Sequence, residues 1–571
     1  MVVMLKRAGL PGAVLLLVSG MVLAQEPGVG SGQSIFELRP SQRPLTVPPF
    51  ESGEDQPSLD LPAVEEPPST AGLPYAIKVY VDAFRITGNT VFTDAELQAI
   101  VAPYTGREIT NNELEEVRRR LTIQYINNGY INSGALIPDQ KVADGTVDIE
   151  IVEGTLNRIE IEGTDRFKPE YFTSRLELSA GPPLNAKDIE ERLQILIQNN
   201  LVEGIQAELQ PGDRPGEAVL KAKVVESRPY DFAYVLDNKI PPSLGEVRNL
   251  FQGEVRNLAG RGDVLTGELE LAQGIPYNVK ARYLLPITPQ DTTFGLYYEK
   301  GKAEVVERPF DELDIKTKLE TVGLSLTHPF YRTPNEGLDL GLVLERRKTN
   351  TELLGEDFSF SPGVDDGRAV VSVLRFFQEW VQRSRNQVIS ARSTFSFGLD
   401  AFGSTINNNG LPDSDFVTWI PQFQWVRRFG ERGHQLFFRF DGQVSSNSLL
   451  PIEKFSVGGL DSVRGYRSNQ LVRDRGYAAS LQYQVPVFKN ATGMRNLQFA
   501  AFVDTGYAKN KSGPEINPNS ITGVGVGLIW DPDRRVHLEL YYANGLKDVP
   551  EGGEYSIQDE SLYFRLVATP W

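Results

Sequence analysis

From Pro229 to the carboxyl terminus, apolar and polar residues alternate with a period of two, in segments separated by clusters of Gly, Pro, Asn and Asp. Leu265, Gly267, Leu269 and Leu271 alternate with Val264, Thr266, Glu268 and Glu270, and Leu338, Leu340, Leu342 and Leu344 with Asp339, Gly341, Val343 and Glu345. Leu436, Phe438, Phe440 and Val444 do so with Gln435, Arg439, Asp441 and Gln443, and Val536, Leu538, Leu540 and Tyr542 with His537, Glu539 and Tyr541. Each segment predicts a strand with one face toward an apolar surround and one toward water. A soluble sandwich also alternates, but a sandwich this long would be expected to split into domains. Trp380, Trp419, Trp425, Trp530, Tyr541, Tyr542 and Trp571 suit the aromatic girdles of a membrane barrel. At about ten residues per strand and as many per connection, residues 229–571 predict a transmembrane antiparallel β-barrel of about sixteen strands. A lumen of that size is wide enough for water or an extended chain.

Upstream, the periodicity changes and repeats. Residues 75–154 and 155–228 carry the same order of features: FRITGNTVFTDAEL against IEIEGTDRFKPEYF, then a helix pattern, then VDIEIVEG against LKAKVVES. Gly88 and Gly163 occupy the same place in the repeat, as do Gly106 and Gly181. Each unit predicts strand, helix, helix, strand, strand: an α+β unit with a small sheet covered on one face by two helices. Thr110 and Glu113 form a capping box, with Leu114, Val117, Leu121 and Tyr125 on one helical face. Asn185 caps the equivalent helix, whose face is Ile189, Leu193 and Leu196. At least one edge of each sheet is left open.

The first residues, MVVMLKRAGLPGAVLLLVSGMVLAQ, have the basic start, apolar run and small-residue end of a secretory signal peptide over 1–24. The mature chain is therefore expected to work outside the cytoplasm, away from ATP. Residues 25–74 contain ten prolines and predict an extended linker, with Gly28–Arg39 as the longest stretch free of Pro. A net charge of -17 argues against a nucleic-acid partner, because phosphate binding needs a basic face. No Cys is present, which removes disulfides, thiol catalysis and Cys-ligated zinc, and the three histidines, His328, His434 and His537, are expected to be isolated structural residues. No metal site, cofactor or catalytic constellation is predicted. Gly523-Val524-Gly525-Val526-Gly527 lies in a strand pattern with no helix after it, so it predicts close approach of lumen elements and not a phosphate loop.

Two such units, a barrel, and Val463-Arg464-Gly465-Tyr466 in the polar stretch SVGGLDSVRGYRSNQL resemble the two-partner secretion outer-membrane transporters of the Omp85 superfamily. The resemblance covers residues 75–571 and implies that the repeats are a pair of POTRA domains. It implies too that VRGY lies at the tip of a sixth extracellular loop folded back into the lumen. Phe502-Val503-Asp504-Thr505-Gly506 is similar to the family's F-x-D-x-G strand motif. Parity adds its own argument, because Leu497, Phe499, Ala501 and Val503 form the apolar set of that strand and leave Gln498, Phe502 and Asp504 facing inward. Arg464 is the expected partner of Asp504, since a guanidinium binds a carboxylate through two parallel donors. Gly458, Gly459 and Gly465 would allow the fold-back.

The family implies a bacterial outer membrane of the diderm type, with periplasmic POTRA domains that bind an unfolded haemolysin- or adhesin-like secreted protein at their sheet edges. It implies lipid and lipopolysaccharide around the barrel, and the barrel assembly machinery as a partner in biogenesis. The rival readings are a barrel assembly factor, which generally carries three or more POTRA domains, and a passive porin, which would explain neither repeats nor linker. Two departures stand out. Gly28–Arg39 offers only a short or absent amino-terminal plug helix, and Pro570 precedes the terminal Trp571.

Overall fold

A computed structural model of the chain describes residues 50, 58–60, 78–142, 144–487, 496–513, 516–549 and 554–570. The expected signal peptide, the stretch 28–39 and Trp571 lie outside the described residues.

The first repeat is built from β2 (Lys78–Val81), β3 (Ala83–Thr87), α1 (Asp94–Val101), β4 (Arg107–Thr110), α2 (Asn111–Asn127), β5 (Gly134–Leu136) and β6 (Thr146–Val152). The second has β7 (Thr155–Glu162), α3 (Glu170–Leu176), α4 (Ala186–Gln198), β8 (Val202–Pro211) and β9 (Glu217–Glu226). The second unit keeps the expected order, whereas the first inserts β4 between its helices, where it pairs with β2. Both helices of the first unit start on capping boxes, Thr93 with Glu96 and Thr110 with Glu113, and Asn185 accepts from the Lys187 N–H at the start of α4. Val117, Leu121 and Tyr125 of α2 and Ile189, Leu193 and Leu196 of α4 are buried against their sheets.

One stitch recurs in both units. Gly88 (φ +84°) and Gly163 (φ +79°) bring the loop after the first strand so near the last strand that a Cβ would stand 2.3 Å from the Ile151 carbonyl oxygen and 2.4 Å from that of Val224. Two residues further along those strands, Glu153 accepts from the Thr90 and Val91 N–H groups (2.7 and 2.9 Å), and Glu226 from those of Asp165, Arg166 and Phe167 (2.9, 2.9 and 3.0 Å). Burial pushes both carboxyls up, but the hydrogen bonds outweigh it and hold each below its ordinary value near 4.5. A depressed folded-state value stabilises the fold above the unfolded value and loses that contribution as pH falls through the folded one. The periplasmic units are accordingly expected to become protease-sensitive as pH drops below 4.5, while the barrel stays folded. In the Glu153→Gln/Glu226→Gln double variant that acid dependence should flatten, with about 1–3 kcal/mol lost per site at neutral pH; limited proteolysis across pH reads both effects.

Four residues of the expected linker are described, and they contact the folded parts. Ser58–Asp60 (β1) pairs in parallel with Gln206–Glu208 of β8, extending the second sheet to the order β1-β8-β9-β7. Leu59 packs on the core of that unit. Phe50 is buried among Val388, Val426 and Phe437, under the Arg428 guanidinium at 4.1 Å.

Sixteen long antiparallel strands, from Tyr230–Asp237 to Leu562–Ala568, close into a barrel by pairing of the first with the last, Asp237 opposite Arg565. The periplasmic units fix the sense of the first strand, so odd-numbered strands run outward. The apolar sets face outward: Leu265, Leu342 and Val444 are exposed, while Thr266, Glu268, Glu270, Glu345, Asp441 and Gln443 are buried inside. Tyr541 is a correction to the expected girdle: it belongs to the inward set and is buried in the lumen, because it shares the parity of His537 and Glu539.

Candidate functional site

The connection between the eleventh strand (His434–Ser445) and the twelfth (Arg475–Pro486) begins on the outer side, and it is the sixth outer loop. It folds back into the lumen. A short hairpin, Phe455–Val457 with Leu471–Arg473, carries the VRGY tip, and Phe455, Val457, Val463, Tyr466 and Leu471 pack on Ala478, Ala508 and Ile521 of the wall. Gly458, Gly459 and Gly465 all take positive φ, of 119°, 89° and 94°, as the turn back requires.

The tip brings the expected residues together. Arg464 Nε lies 2.7 Å from Asp504 Oδ2 and Nη2 lies 2.9 Å from Oδ1, a two-point grip on the thirteenth strand (Leu497–Lys509). The Arg464 backbone N–H also donates to Asp504 (3.1 Å), and Nη1 and Nη2 donate to Gln482 (2.6 Å) and Ser480 (3.3 Å) on the twelfth. The guanidinium stacks 3.3 Å from the Phe502 ring centroid and 4.8 Å from that of Tyr541. Asp504 is fully buried and Arg464 is 6% exposed, so each charge depends on the other for compensation. Val463 is buried against the wall, where a Cβ on Gly506 would meet its Cγ2 at 3.0 Å. A Cβ on Gly523 would stand 1.9 Å from the Arg464 carbonyl oxygen, so the small residues of that strand are what let the loop lie on it. The Gly465 N–H donates to Tyr563 (2.9 Å), and Tyr466 donates through its hydroxyl to the Thr522 and Lys547 carbonyls (3.0 and 3.1 Å).

Other anchors were not expected from the sequence. Arg467, three residues past Arg464, grips Asp559 of the eighth outer loop (2.7 and 2.5 Å) and Glu307 of the third (2.7 Å). Lys239 of the first outer loop pairs with Asp461 at 2.9 Å. Glu453, in the single turn Pro451–Glu453 before the hairpin, meets Arg347 and Arg375. His537 is not isolated as expected: it lies between Asp531 (2.6 Å) and Glu539 (2.9 Å), a neighbourhood produced by strand parity and the adjoining turn.

Beneath the barrel, the second repeat docks on inner turns. Arg175 of α3, buried, places Nε 3.0 Å and Nη2 2.7 Å from Asp291 in the turn 287–292, with its guanidinium 3.7 Å above the Tyr171 ring. Tyr171 faces Gly262 of the turn 257–263 so closely that a Cβ there would be 2.5 Å from the ring, and Lys168 N–H donates to Gly260 O (3.0 Å). Burial pushes the Tyr171 hydroxyl up to about 12, keeping it neutral at this joint. Gln198 of α4 donates to Pro334 O (3.2 Å) in the turn 333–335.

The candidate substrate edge is the ten-residue strand β8. Its outer side carries only the three residues of β1 among the described residues, leaving most of its length available for strand addition.

Comparison with known proteins gives concordant matches. The family described as haemolysin secretion/activation protein ShlB/FhaC/HecB matches residues 216–529, and the ShlB-type POTRA domain matches 79–154. The heme/hemopexin transporter protein HuxB of Haemophilus influenzae (strain 86-028NP) is 26% identical over 448 residues, covering 73% of this chain and 74% of the relative. The outer membrane transporter CdiB of Escherichia coli O6:K15:H31 is 30% identical over 413 residues, 68% of this chain and 66% of the relative. Among solved structures, CdiB from Escherichia coli superposes with a TM-score of 0.66 at 21% identity, covering 89% of this chain and 93% of that one. BamA from Haemophilus ducreyi lacking POTRA domains 1-3 shares the fold with a TM-score of 0.55 at 16% identity, over 86% and 100% of the two chains.

Proposed function

The chain belongs to the ShlB/FhaC/HecB haemolysin secretion/activation family of outer-membrane transporters, and from that premise we propose that it exports one large partner protein, unfolded, from the periplasm to the cell surface. The observation that carries the reading is two strand–helix repeats, the first matching the ShlB-type POTRA domain and the second docked at the inner mouth of a barrel whose sixth outer loop is pinned inside the lumen by Arg464 and Asp504. The partner is a secreted protein of the two-partner type. Its extended amino-terminal segment adds to the outer edge of β8, where backbone hydrogen bonds give affinity with little demand on side chains. There it competes with Ser58–Asp60 for Gln206–Glu208.

No nucleotide is available in the periplasm, so direction comes from the partner folding outside, which makes return through the lumen unfavourable. Outer-membrane lipid and lipopolysaccharide surround the apolar outer face, and the barrel assembly machinery inserts the protein. No catalytic group takes part in this scheme. A barrel assembly factor would share the units and the arginine loop, but the family match favours export. Deleting the chain in a strain that carries a large exported neighbour is expected to leave that neighbour in the periplasm, where proteases degrade it, without loss of other outer-membrane barrels. General loss of barrels, with the neighbour still released, would overturn the reading.

A further inference from the structure

The sixth loop touches the barrel wall in two regions, each with an apolar cluster and an arginine–carboxylate grip. Its tip and hairpin lie on the wall of the twelfth to sixteenth strands through an apolar cluster, the Arg464–Asp504 grip and close glycine contacts. Its first part, from Ser446 to Lys454, reaches the seventh and eighth strands (Glu336–Leu353 and Arg368–Arg383), four or more strands away from that wall round the barrel.

At the end of that crossing Glu453 is 2% exposed. It accepts from Arg347 Nη1 at 2.9 Å and from Arg375 Nη2 at 2.9 and 3.0 Å. Arg375 also donates from Nε to Glu345 (2.8 Å) and from Nη1 to Ser396 of the ninth strand (2.8 Å). Arg347 Nη1 donates as well to the backbone carbonyl of Ile452, at 3.3 Å. The two guanidiniums thus hold, in the loop itself, a carboxylate and a main-chain carbonyl of a chain segment that crosses the lumen.

We propose that Arg347 and Arg375 form a lumen site for the backbone carbonyls and acidic side chains of an extended polypeptide, and that Glu453 with the Ile452 carbonyl occupies it in the closed state. Rested on the export reading, this assigns a route. The exported chain passes between the crossing segment and the seventh to ninth strands, taking the donors that Glu453 releases, while the tip stays on Asp504. Carbonyl recognition ignores side-chain identity, which suits a site that a whole unfolded protein must traverse. Glu345 and Ser396 remain on Arg375 after Glu453 leaves, so the exchange does not strand that charge.

The test begins with planar-bilayer conductance of the full-length protein. Glu453→Gln keeps the side-chain volume, removes the charge from the grip, and is expected to raise the time spent in high-conductance states several-fold, with the barrel still heat-modifiable. Gln498→Ala, which removes a lumen-facing polar group outside both anchors, should leave conductance unchanged. A photo-reactive residue at Ser396 is expected to cross-link a partner stalled by a folded carboxyl-terminal domain, whereas one at Ala478, beneath the hairpin, should not. Unchanged conductance for Glu453→Gln, or cross-linking at 478 in place of 396, would overturn the assignment. The conductance arm needs no partner, so its failure is separate from failure of the export reading.

Discussion

Arg464→Ala is expected to abolish export while the barrel remains inserted and heat-modifiable, and Asp504→Ala should do the same. Arg464 offers its guanidinium to Asp504, Gln482 and Ser480 at once and stacks on Phe502. Alanine at 464 leaves the Asp504 carboxylate buried with only the backbone N–H at 464 and the Ser480 hydroxyl (2.6 Å) to satisfy it. Breaking a buried pair by removing one partner costs about 3–5 kcal/mol. That is enough to release the tip, and a barrel closed by sixteen strand pairings tolerates it. Arg464→Lys should fail nearly as completely, since an ammonium cannot reproduce the two-point grip or the stacking. Surface release of the partner, set beside heat-modifiability on the same cells, separates loss of transport from loss of folding.

Arg175→Glu is expected to have the next largest effect. The substitution sets a carboxylate against Asp291 in a joint where the arginine is almost fully covered and its guanidinium lies on Tyr171. Loss of the pair costs about 3–5 kcal/mol, and like-charge repulsion adds to it. The second repeat would then leave the inner turns, and with it the β8 edge would lose its place beneath the pore. Export should fall to a small fraction of wild type while the partner still binds the purified protein. Arg175→Glu/Asp291→Arg restores opposite charges and should recover part of the export. Because the chain contains no Cys, an Arg175→Cys/Asp291→Cys pair joined by a bifunctional thiol reagent reads the joint directly: export that survives cross-linking shows that the joint stays closed during transport.

Much of this architecture is legible in the sequence because it depends on local periodicity. Alternation of period two places Asp504 inward without any partner being known, and the repeat from Phe84 to Glu226 is set by glycine and apolar spacing. The capping box at Thr110 and Glu113 is local as well. What escapes has a common cause, since it depends on pairs brought together by barrel closure or docking. Glu453 meets Arg347 and Arg375 only because a loop crosses the lumen. Arg175 finds Asp291 because a helix of the second unit rests on an inner turn. Neither spacing has a local signature. The strand Ser58–Asp60 is hidden for a different reason: a proline-rich surround masks three residues whose structure is supplied by the β8 edge. Tyr541 was legible by parity but also fits the aromatic girdle by composition, and its side of the strand decides the matter.

The central claim is that this one chain is sufficient to move an unfolded partner across a membrane without nucleotide. The purified protein, reconstituted alone in liposomes and presented with the urea-unfolded product of the large exported neighbour, should bring that product into a protease-protected lumen. Arg464→Ala liposomes should not. Protection that fails to appear with the wild type, while an unfolded outer-membrane barrel is inserted by the same vesicles, would contradict the account.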